Sequence, residues 1–332
     1  MYVTRPEWDK EFRCLAGDCP DTCCAGWELP VDQESARRYA AMQGPWGHRL
    51  AQAVVEEAGE YQMARTPSGR CVLLNDRGLC DLYAQLGEEA LCRTCRLHPR
   101  FVAEYGARRE IMPGLSCPAW AQLFLLRQEP VRFLTEETAE EVTQYNDLDA
   151  GWFFRLYAGR RQAMELLQTP GVPLRIKMEQ LLALGEKLDE TVENSNAVPG
   201  VSQAYRKKLL GLEILTPRWK ELLETPASGS FRQDWEPLLE KVLVYDTFRF
   251  FLKGVYDGRV LPWVKLSLFH ALVLASLVNR CSSKERLCEV IRLYSKEIEH
   301  NAENVERLHR AFCRRSGRYG AAGLRKAMEE LL

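Results

Sequence analysis

The chain has 332 residues and a hydrophobic fraction of 46%, so it can fill one large core or two smaller cores without disulfide bonds. Its formal net charge of -1 argues against a broad basic surface for nucleic acid, because binding phosphates needs clustered lysine and arginine. The first residues, MYVTRPEWDKEFRC, contain no apolar run of the kind that a secretory signal needs. We therefore expect a cytoplasmic protein with no nucleic-acid partner.

Residues 1–120 are rich in glycine, proline and cysteine, with turn signals between short apolar pieces. Two helices are predicted there, Gln33–Met42 after the N-cap residue Asp32 and Trp46–Glu57, because apolar residues recur at helical spacing. The segment from Arg70 to Cys80 resembles a small hairpin that would bring its two cysteines together. This half is predicted to be a loop-rich, cysteine-cluster domain that binds metal.

Nine of the twelve cysteines lie in this first half. In a reducing compartment, thiols clustered in this way favour metal binding over disulfides. The predicted ligands are Cys14, Cys19, Cys23, Cys24, Cys71, Cys80, Cys92, Cys95 and Cys117. The other three, Cys281, Cys288 and Cys313, are scattered through helical sequence and are interpreted as ordinary buried residues.

Zinc and iron-sulfur clusters both use about four thiolates, often delivered as close pairs from separate loops. Cys92 and Cys95 form a C-x2-C pair, whereas the adjacent Cys23 and Cys24 diverge and suit two different sites or a multinuclear cluster. Two sites of four ligands, with one cysteine left over, is the simplest interpretation. Nearby arginines would offset the charge of a cluster or form a solvated basic face. The residues expected to support the cofactor are Trp27, Arg93, Arg96 and Arg100.

Residues 121–332 are dominated by long amphipathic stretches, which predict an α-helical domain. The predicted helices are Ala119–Leu126, Asp149–Leu167, Leu174–Glu190, Val201–Leu215, Trp219–Leu223, Trp235–Val255, Leu261–Asn279, Ser283–His300 and Ala302–Cys313. Breaks are predicted at residues 169–171, 194–200, 225–229 and 258. The fold class is therefore predicted to be mainly α, with a metal-binding domain at 1–120 and a helical domain at 121–332.

One segment, Val260–Val278, is apolar enough to raise the question of a membrane span. It contains Pro262, Lys265 and His270 within a stretch of minimum length for a bilayer. A buried core helix is the favoured interpretation, so we expect no membrane partner.

Several ordered motifs together resemble the flagellin lysine-N-methylase family. They are Cys14-x4-Cys19-Pro-Asp-Thr-Cys23-Cys24-Ala-Gly26-Trp27, Cys71-x8-Cys80-Asp-Leu-Tyr83, Leu91-Cys92-Arg-Thr-Cys95-Arg-Leu-His98-Pro99-Arg100 and Leu115-Ser116-Cys117-Pro118, followed by weaker matches at 243–250 and 294–301. The first half also resembles a broader group of zinc- or iron-chelating cysteine-cluster domains. The resemblance extends over nearly the whole chain.

The resemblance implies methyl transfer from S-adenosylmethionine to lysine ε-amines of flagellin, by a cytoplasmic protein that carries an iron-sulfur cluster. Methyl transfer requires a neutral amine, so a base or a desolvating pocket is needed. Aromatic faces and carboxylates would suit the sulfonium cation. The candidate catalytic residues in the matching segments are Tyr245, Asp246, Tyr294, Glu297 and His300, with Glu299 beside them. Core packing is the alternative role for each.

Two common methyl-transfer arrangements are absent from the sequence. The C-x3-C-x2-C spacing of radical enzymes is broken, since Gly26 stands where the third cysteine would be. No glycine-rich strand-turn-helix loop is present to hold a nucleotide. Two other functions therefore stay open: a non-enzymatic zinc- or iron-binding protein and an electron-transfer iron-sulfur protein. The sequence leaves the oligomeric state open.

Overall fold

The computed structural model describes residues 1–142, 148–193, 199–225, 231–279 and 281–332. The breaks predicted at 194–200 and 225–229 fall mostly outside these residues. The strands are β1 (Tyr2–Pro6), β2 (Pro30–Val31), β3 (Val54–Glu57), β4 (Glu60–Met63), β5 (Arg100–Tyr105), β6 (Arg108–Pro113) and β7 (Phe133–Glu137).

Helices make up most of the remaining structure, so the prediction of a mainly α fold is confirmed. They are α1 (Gln33–Ala41), α2 (Gly44–Ala53), α3 (Asp81–Leu86), α4 (Arg93–Leu97), α5 (Pro118–Leu126), α6 (Ala150–Leu167), α7 (Leu174–Leu188), α8 (Val201–Leu210), α9 (Pro217–Glu224), α10 (Glu236–Phe250), α11 (Gly254–Asp257), α12 (Leu261–Val278), α13 (Lys284–Ile298), α14 (Ala302–Phe312) and α15 (Ala321–Leu331). Short 3-10 turns lie at Glu7–Glu11, Ala16–Asp18, Glu88–Ala90, Gln233–Trp235, Phe251–Lys253 and Gly317–Tyr319.

Several helices begin where a side-chain oxygen caps them. Asp32 accepts a hydrogen bond from the Ser35 amide at 2.9 Å, as its predicted N-cap role requires. Ser283 and Asn301 cap α13 and α14 in the same way. These caps satisfy amide groups that have no partner within their own helix, and so they define where each helix starts.

A four-stranded sheet joins distant parts of the chain in the order β5, β6, β1, β7. β1 runs parallel to β6 and antiparallel to β7, with Val3 opposite Arg109 on one side and Glu136 on the other. These strands were not predicted, because each is short, and both partners of β1 lie more than a hundred residues away, although β5 and β6 are neighbours in the chain. The N-terminal strand is therefore an integral part of the fold.

A second, smaller sheet in the order β2, β4, β3 belongs to the cysteine-rich part of the chain. The predicted helix Trp46–Glu57 ends at Ala53, and Val54–Glu57 instead forms a hairpin with β4. Ala58 and Gly59 connect these strands with positive φ angles of 52° and 85°, the conformation that tight hairpin loops require. The turn chemistry therefore overrides the helical periodicity.

Buried side chains fall into two hydrophobic clusters. The smaller one packs residues between Leu29 and Cys92. The larger one contains the long helices together with Trp8, Tyr105 and Trp120. The boundary between the two hydrophobic clusters does not fall at residue 120. Residues before it, from the four-stranded sheet, and residues after it, from α5, both pack against the long helices.

Helices α10 and α12 form the centre of the larger cluster and are buried on almost all sides, as expected of helices surrounded by protein. α12 is long and apolar enough to cross a membrane, but 94% of its 18 residues are buried within the fold. It packs against α7, α10, α14 and α15. The interpretation of this segment as a core helix therefore agrees with the structure.

Other predicted helices differ mainly at their ends. α8 stops at Leu210 rather than Leu215, and the helix predicted for 235–255 is divided into α10, a 3-10 turn and α11. α15 was not predicted. Periodicity locates these helices, whereas caps and packing determine where they end.

Candidate functional site

The nine clustered cysteines lie in loops and helix ends where the cysteine-rich part meets the helices. None of these nine cysteines forms a disulfide bond in the described structure. We describe the nine as two groups of neighbouring thiols, the first and the second thiol set. The two groups adjoin each other, since Cys23 of the first set acts on both Cys24 and Cys95 of the second.

The first thiol set contains Cys14, Cys19, Cys23 and Cys117. Burial raises the pKa of Cys117, and the nearby charges of Cys19 and Cys14 raise it further. A hydrogen bond with Cys24 and burial raise the pKa of Cys23, with smaller contributions from Cys14 and Cys117. Residues about a hundred positions apart therefore meet at one place.

The second thiol set contains Cys24, Cys71, Cys80, Cys92 and Cys95. Burial raises the pKa of Cys71 to about 11, and the charges of Cys24, Cys80 and Cys92 act in the same direction. The prediction that the turn between Cys71 and Cys80 brings the two thiols close agrees with this interaction. The turn is closed by a hydrogen bond of 2.9 Å from the Asn75 amide to the Leu79 carbonyl.

Two pairs of thiols are joined by hydrogen bonds. Cys92 and Cys95 both belong to the second set, whereas Cys23 of the first set bonds to Cys24 of the second. The bond from Cys23 lowers the pKa of Cys24 to about 7, and the bond from Cys95 lowers the pKa of Cys92 to about 7. Cys23 and Cys24 belong to different sets while still touching each other. The expectation that adjacent cysteines serve two sites or a multinuclear cluster stays a prediction.

The nine thiols were predicted to bind either zinc or an iron-sulfur cluster. In the described residues, no three histidine, cysteine, aspartate or glutamate side chains converge closely enough to hold a single ion. The donors are all sulfur, and four to five thiols per set is a number that suits zinc and iron-sulfur clusters alike.

The C-x2-C pair is held in place by α1. Arg38 donates to the carbonyl oxygens of Glu89 and Leu91, each at 2.9 Å, and the Tyr39 hydroxyl donates to Ala90 at 2.7 Å. Asp32, besides capping α1, accepts from the Arg93 amide at 2.8 Å. The backbone of the loop that enters Cys92 is therefore held by side chains of Asp32 and of α1.

An aromatic cluster formed by Trp27, His98, His300 and Phe101 lies between the second thiol set and the helices. The His300 ring lies 4.8 Å from both the Trp27 ring and the Phe101 ring, and 5.9 Å from His98. Trp27 donates from Nε1 to the Cys23 carbonyl at 2.8 Å. The candidate residues Trp27 and His300 are therefore in contact, although 273 positions separate them.

Both histidines of this cluster are held neutral. Burial, then the positive charges of Lys296 and Arg100, lower the pKa of His98 to about 4. Burial, His98 and Arg249 lower the pKa of His300 to about 3. His300 shares a hydrogen bond of 2.7 Å with the Ser116 hydroxyl. At neutral pH these rings can donate or accept one hydrogen bond per nitrogen, but they carry no charge.

Arg249 connects the aromatic cluster to a buried polar network in the helices. Its guanidinium carbon lies 3.3 Å from the centroid of Phe101, and its Nη1 lies 3.4 Å from a carboxylate oxygen of Glu299. The same oxygen of Glu299 accepts a hydrogen bond of 2.5 Å from the Tyr245 hydroxyl. Tyr245 and Glu299 are thus in direct contact, which the sequence did not predict.

A second part of the network contains Asp246, His270 and Tyr294. Asp246 lies 3.0 Å from His270 Nδ1, and burial raises the pKa of Asp246 to about 6. Within the described residues, His270 Nε2 and the Tyr294 hydroxyl have no hydrogen-bond partner. Because unpaired buried polar atoms are uncommon, these two atoms mark this part of the core as unusual.

Glu297 has a structural environment. Its carboxylate accepts from the Leu215 amide at 2.7 Å and from the Thr216 hydroxyl at 2.5 Å, at the start of α9. Burial raises its pKa. The structure therefore separates Glu297 from the other candidate catalytic residues and places it at a helix start.

The arginines expected near the cofactor have carboxylate partners of their own. Arg96 pairs with Glu89 at 3.3 Å, and Arg100 pairs with Asp9 at 3.3 Å. The Arg93 side chain is exposed. Sequence reasoning missed Phe101, Ser116, His270, Arg249 and Lys296, which contact the candidates. Ser116, Arg249 and Lys296 lie inside the motifs and matches quoted above, but their contacts with the candidates join separate segments and are not visible in the sequence.

Comparison with known proteins supports the resemblance noted in the sequence. Residues 229–320 match the family model described as the FliB lysine N-methylase C-terminal domain. This segment contains α10, α12, α13 and α14 and therefore all of the buried polar network described above. No solved structure matches the chain.

Curated relatives point to the same family. The flagellar biosynthetic protein FliU of Salmonella muenchen is 30% identical over 126 residues, which cover 36% of this chain and 73% of FliU. The lysine-N-methylases of Salmonella typhimurium and Salmonella choleraesuis are 30% identical over the same length, which spans only 31% of each. Since a relative at this identity is covered over most of its length and the domain model agrees, this chain belongs to the flagellin lysine N-methylase family.

Proposed function

We propose that this chain is a protein-lysine N-methyltransferase that methylates lysine ε-amines of flagellin, with S-adenosylmethionine as methyl donor. The observation that carries the proposal is the match of residues 229–320 to the FliB lysine N-methylase C-terminal domain. The names of the relatives, lysine-N-methylase and flagellar biosynthetic protein, support the reaction and the substrate. We further propose that the protein acts in the cytoplasm.

The proposed cofactor is an iron-sulfur cluster held by the cysteines. The first thiol set would supply Cys14, Cys19, Cys23 and Cys117, and the second would supply Cys24, Cys71, Cys80, Cys92 and Cys95. When bound, such a cluster would supply thiolate-ligated iron for electron transfer or for binding a donor group at an open iron. Within each hydrogen-bonded pair, the bond lowers the pKa of one thiol, Cys24 or Cys92, to about 7 and raises the pKa of its partner, Cys23 or Cys95, so each pair holds one thiolate more readily than two.

The chain's own residues would prepare the amine and exclude water. A lysine must lose its proton before it can attack a methyl group, and a desolvated site lowers the pKa of an amine. The neutral imidazoles of His98 and His300 add no charge to the aromatic cluster, whose Phe101 and Trp27 rings already have the cations of Arg249 and Lys296 beside them. Arg249 and Glu299 would hold the cluster against the helices.

The test begins with protein purified without oxygen, in which iron, acid-labile sulfide and zinc are measured together with visible absorption. The protein is then incubated with isotopically labelled S-adenosylmethionine and unmodified flagellin, and methylated lysines are identified by mass spectrometry. We expect stoichiometric iron and sulfide, and label on flagellin lysines. Colourless protein that contains zinc and transfers no label would support a non-enzymatic metal-binding protein instead.

A matched pair of variants connects the activity to the thiol sets. Cys92→Ser removes a proposed ligand, whereas Cys313→Ser removes a thiol that belongs to neither set. We expect the first variant to lose iron and methyl transfer and the second to keep both. Equal behaviour of the two variants would contradict the proposed ligands.

A further inference from the structure

Two cations from helix α13 bind one carboxylate in the cysteine loop. Asp21 lies between Cys19 and Cys23, and it accepts a hydrogen bond from Arg292 and another, of 2.7 Å, from Lys296 Nζ. Arg292 and Lys296 are four residues apart and therefore lie on the same face of α13. A loop of the first half is thus attached to a helix of the second half.

The contact is largely shielded from solvent. The exposed fractions of the side chains are 6% for Lys296, 18% for Arg292 and 25% for Asp21. Lys296 Nζ also lies 4.9 Å from the centroid of the Trp27 ring and would lie 3.5 Å from a Cβ placed on Gly26. The chain from Cys19 to Trp27 therefore wraps around the end of Lys296.

The charges in this contact do not cancel. Arg292 and Lys296 carry two positive charges against the single negative charge of Asp21. Burial raises the pKa of Cys19, the charge of Asp21 raises it further and that of Arg292 lowers it, so both members of the contact act on this thiol. By comparison, Arg96 and Arg100 each have one carboxylate partner in the described structure. An excess of one positive charge in a shielded place acts more strongly than the same charge in open water.

We propose that Arg292, Lys296 and Asp21 form a clamp by which α13 positions the Cys19–Cys23 loop and sets the reduction potential of a cluster bound by the first thiol set. The potential-setting part rests on the proposed function, whereas the positioning part does not. One-electron reduction makes a thiolate-ligated cluster more negative, so an adjacent positive charge stabilises the reduced form and raises its potential.

The experiment is an anaerobic redox titration of reconstituted full-length protein with dithionite as electron donor. Lys296→Met and Arg292→Gln each remove one charge, Lys296→Arg keeps it, and Arg286→Gln is the control. Arg286 lies on the same helix, pairs with Glu289 and is 61% exposed. Iron and sulfide content are measured for each variant so that loss of cluster is not mistaken for a shift in potential.

We expect Lys296→Met to lower the reduction equilibrium constant at least tenfold, which is about 59 mV for one electron. Arg292→Gln should shift the potential in the same direction, and Lys296→Arg and Arg286→Gln should leave it close to that of the unmodified protein. Full cluster content with an unchanged potential in both Lys296→Met and Arg292→Gln would overturn the potential-setting role. Arg292→Gln, at a more exposed position, serves if Lys296→Met does not fold.

Positioning is measured separately by amide hydrogen exchange of residues 19–27 in the metal-free protein. Asp21→Asn and Lys296→Met should exchange faster there than Arg286→Gln, and equal exchange would overturn the clamp. If the unmodified protein takes up no iron or sulfide, the potential-setting role and the proposed cofactor both fail, while hydrogen exchange still decides the positioning role. If the unmodified protein takes up a cluster but does not methylate flagellin, the proposed activity fails. The reduction potentials of the variants then still test whether the clamp sets the potential.

Discussion

Replacing Arg249 by methionine should strongly destabilise the fold, because Arg249 forms a buried ion pair between the aromatic cluster and the helices. The exposed fractions of Arg249 and Glu299 are 7% and 4%. The Nη1 atom that faces Glu299 has no hydrogen bond within the described residues, so the attraction is mainly between charges. Arg249→Met would leave the Glu299 carboxylate buried without its positive partner.

Removing one member of a buried pair costs about 3–5 kcal/mol. The entropy of unfolding is about 2.1 cal/mol/K per residue, which for 332 residues amounts to about 0.7 kcal/mol/K. The expected decrease in melting temperature is therefore about 4–7 °C. Arg286→Gln breaks an exposed ion pair on α13 and should cost less than about 1 kcal/mol.

Thermal unfolding followed by circular dichroism measures these shifts, and urea unfolding provides the free energies independently. The double variant Arg249→Met with Glu299→Gln should recover much of the lost stability, because it removes the unpaired charge while the amide oxygen can still accept from Tyr245. If Arg249→Met is as stable as Arg286→Gln, or if the double variant recovers nothing, the reasoning from charge burial is refuted.

Three further predictions use the same methods. Because the pKa values of His98 and His300 are lowered in the folded state, their contribution to stability is complete above about pH 6.5. It decreases as the pH falls from there through about 4 and 3, the folded pKa values. The loss should reach about 2 kcal/mol per histidine at pH 5, and His98→Gln with His300→Gln should flatten the dependence. If stability falls with pH as steeply in this double variant as in the unmodified protein, the assignment to these two histidines is contradicted. Tyr294→Phe should keep or raise stability, since its hydroxyl is buried without a partner in the described structure, and a loss above about 1 kcal/mol in urea unfolding would contradict this. In the unmodified protein, Lys265 Nζ donates to a carboxylate oxygen of Glu193 at 2.9 Å. Glu193→Gln removes the negative charge and leaves the Lys265 ammonium buried without a charged partner. It should cost about 3–5 kcal/mol, and replacing Lys265 by methionine as well should recover stability; failure to do so would count against this ion pair.

Local sequence signals predicted much of the helical architecture. Apolar residues at helical spacing located α6, α7, α12 and α14 within a few residues, because each of these helices buries one face or more against a core. The N-cap role of Asp32 was also predicted correctly, since capping depends only on a side chain and the next three residues. Contacts of this kind lie within a single segment and need no knowledge of the remaining chain.

Strand pairing was the main feature that local signals missed. β1 pairs with β6 and β7, which lie more than a hundred residues away in the sequence. A strand of five residues carries little information about its partner. The tertiary fold alone therefore showed that the N-terminal strand packs with the second half of the chain.

In the candidate site, too, local features were predicted from the sequence and contacts between distant segments were not. The sequence by itself determined which residue types are available: clustered thiols, and motifs that resemble the flagellin lysine N-methylases. Only the tertiary structure decided that the thiol of Cys117 lies near those of Cys14 and Cys19, that Trp27 touches His300, and that Lys296 reaches Asp21. Side chains hundreds of positions apart meet through packing of whole elements, and their spacing in the sequence does not encode that distance.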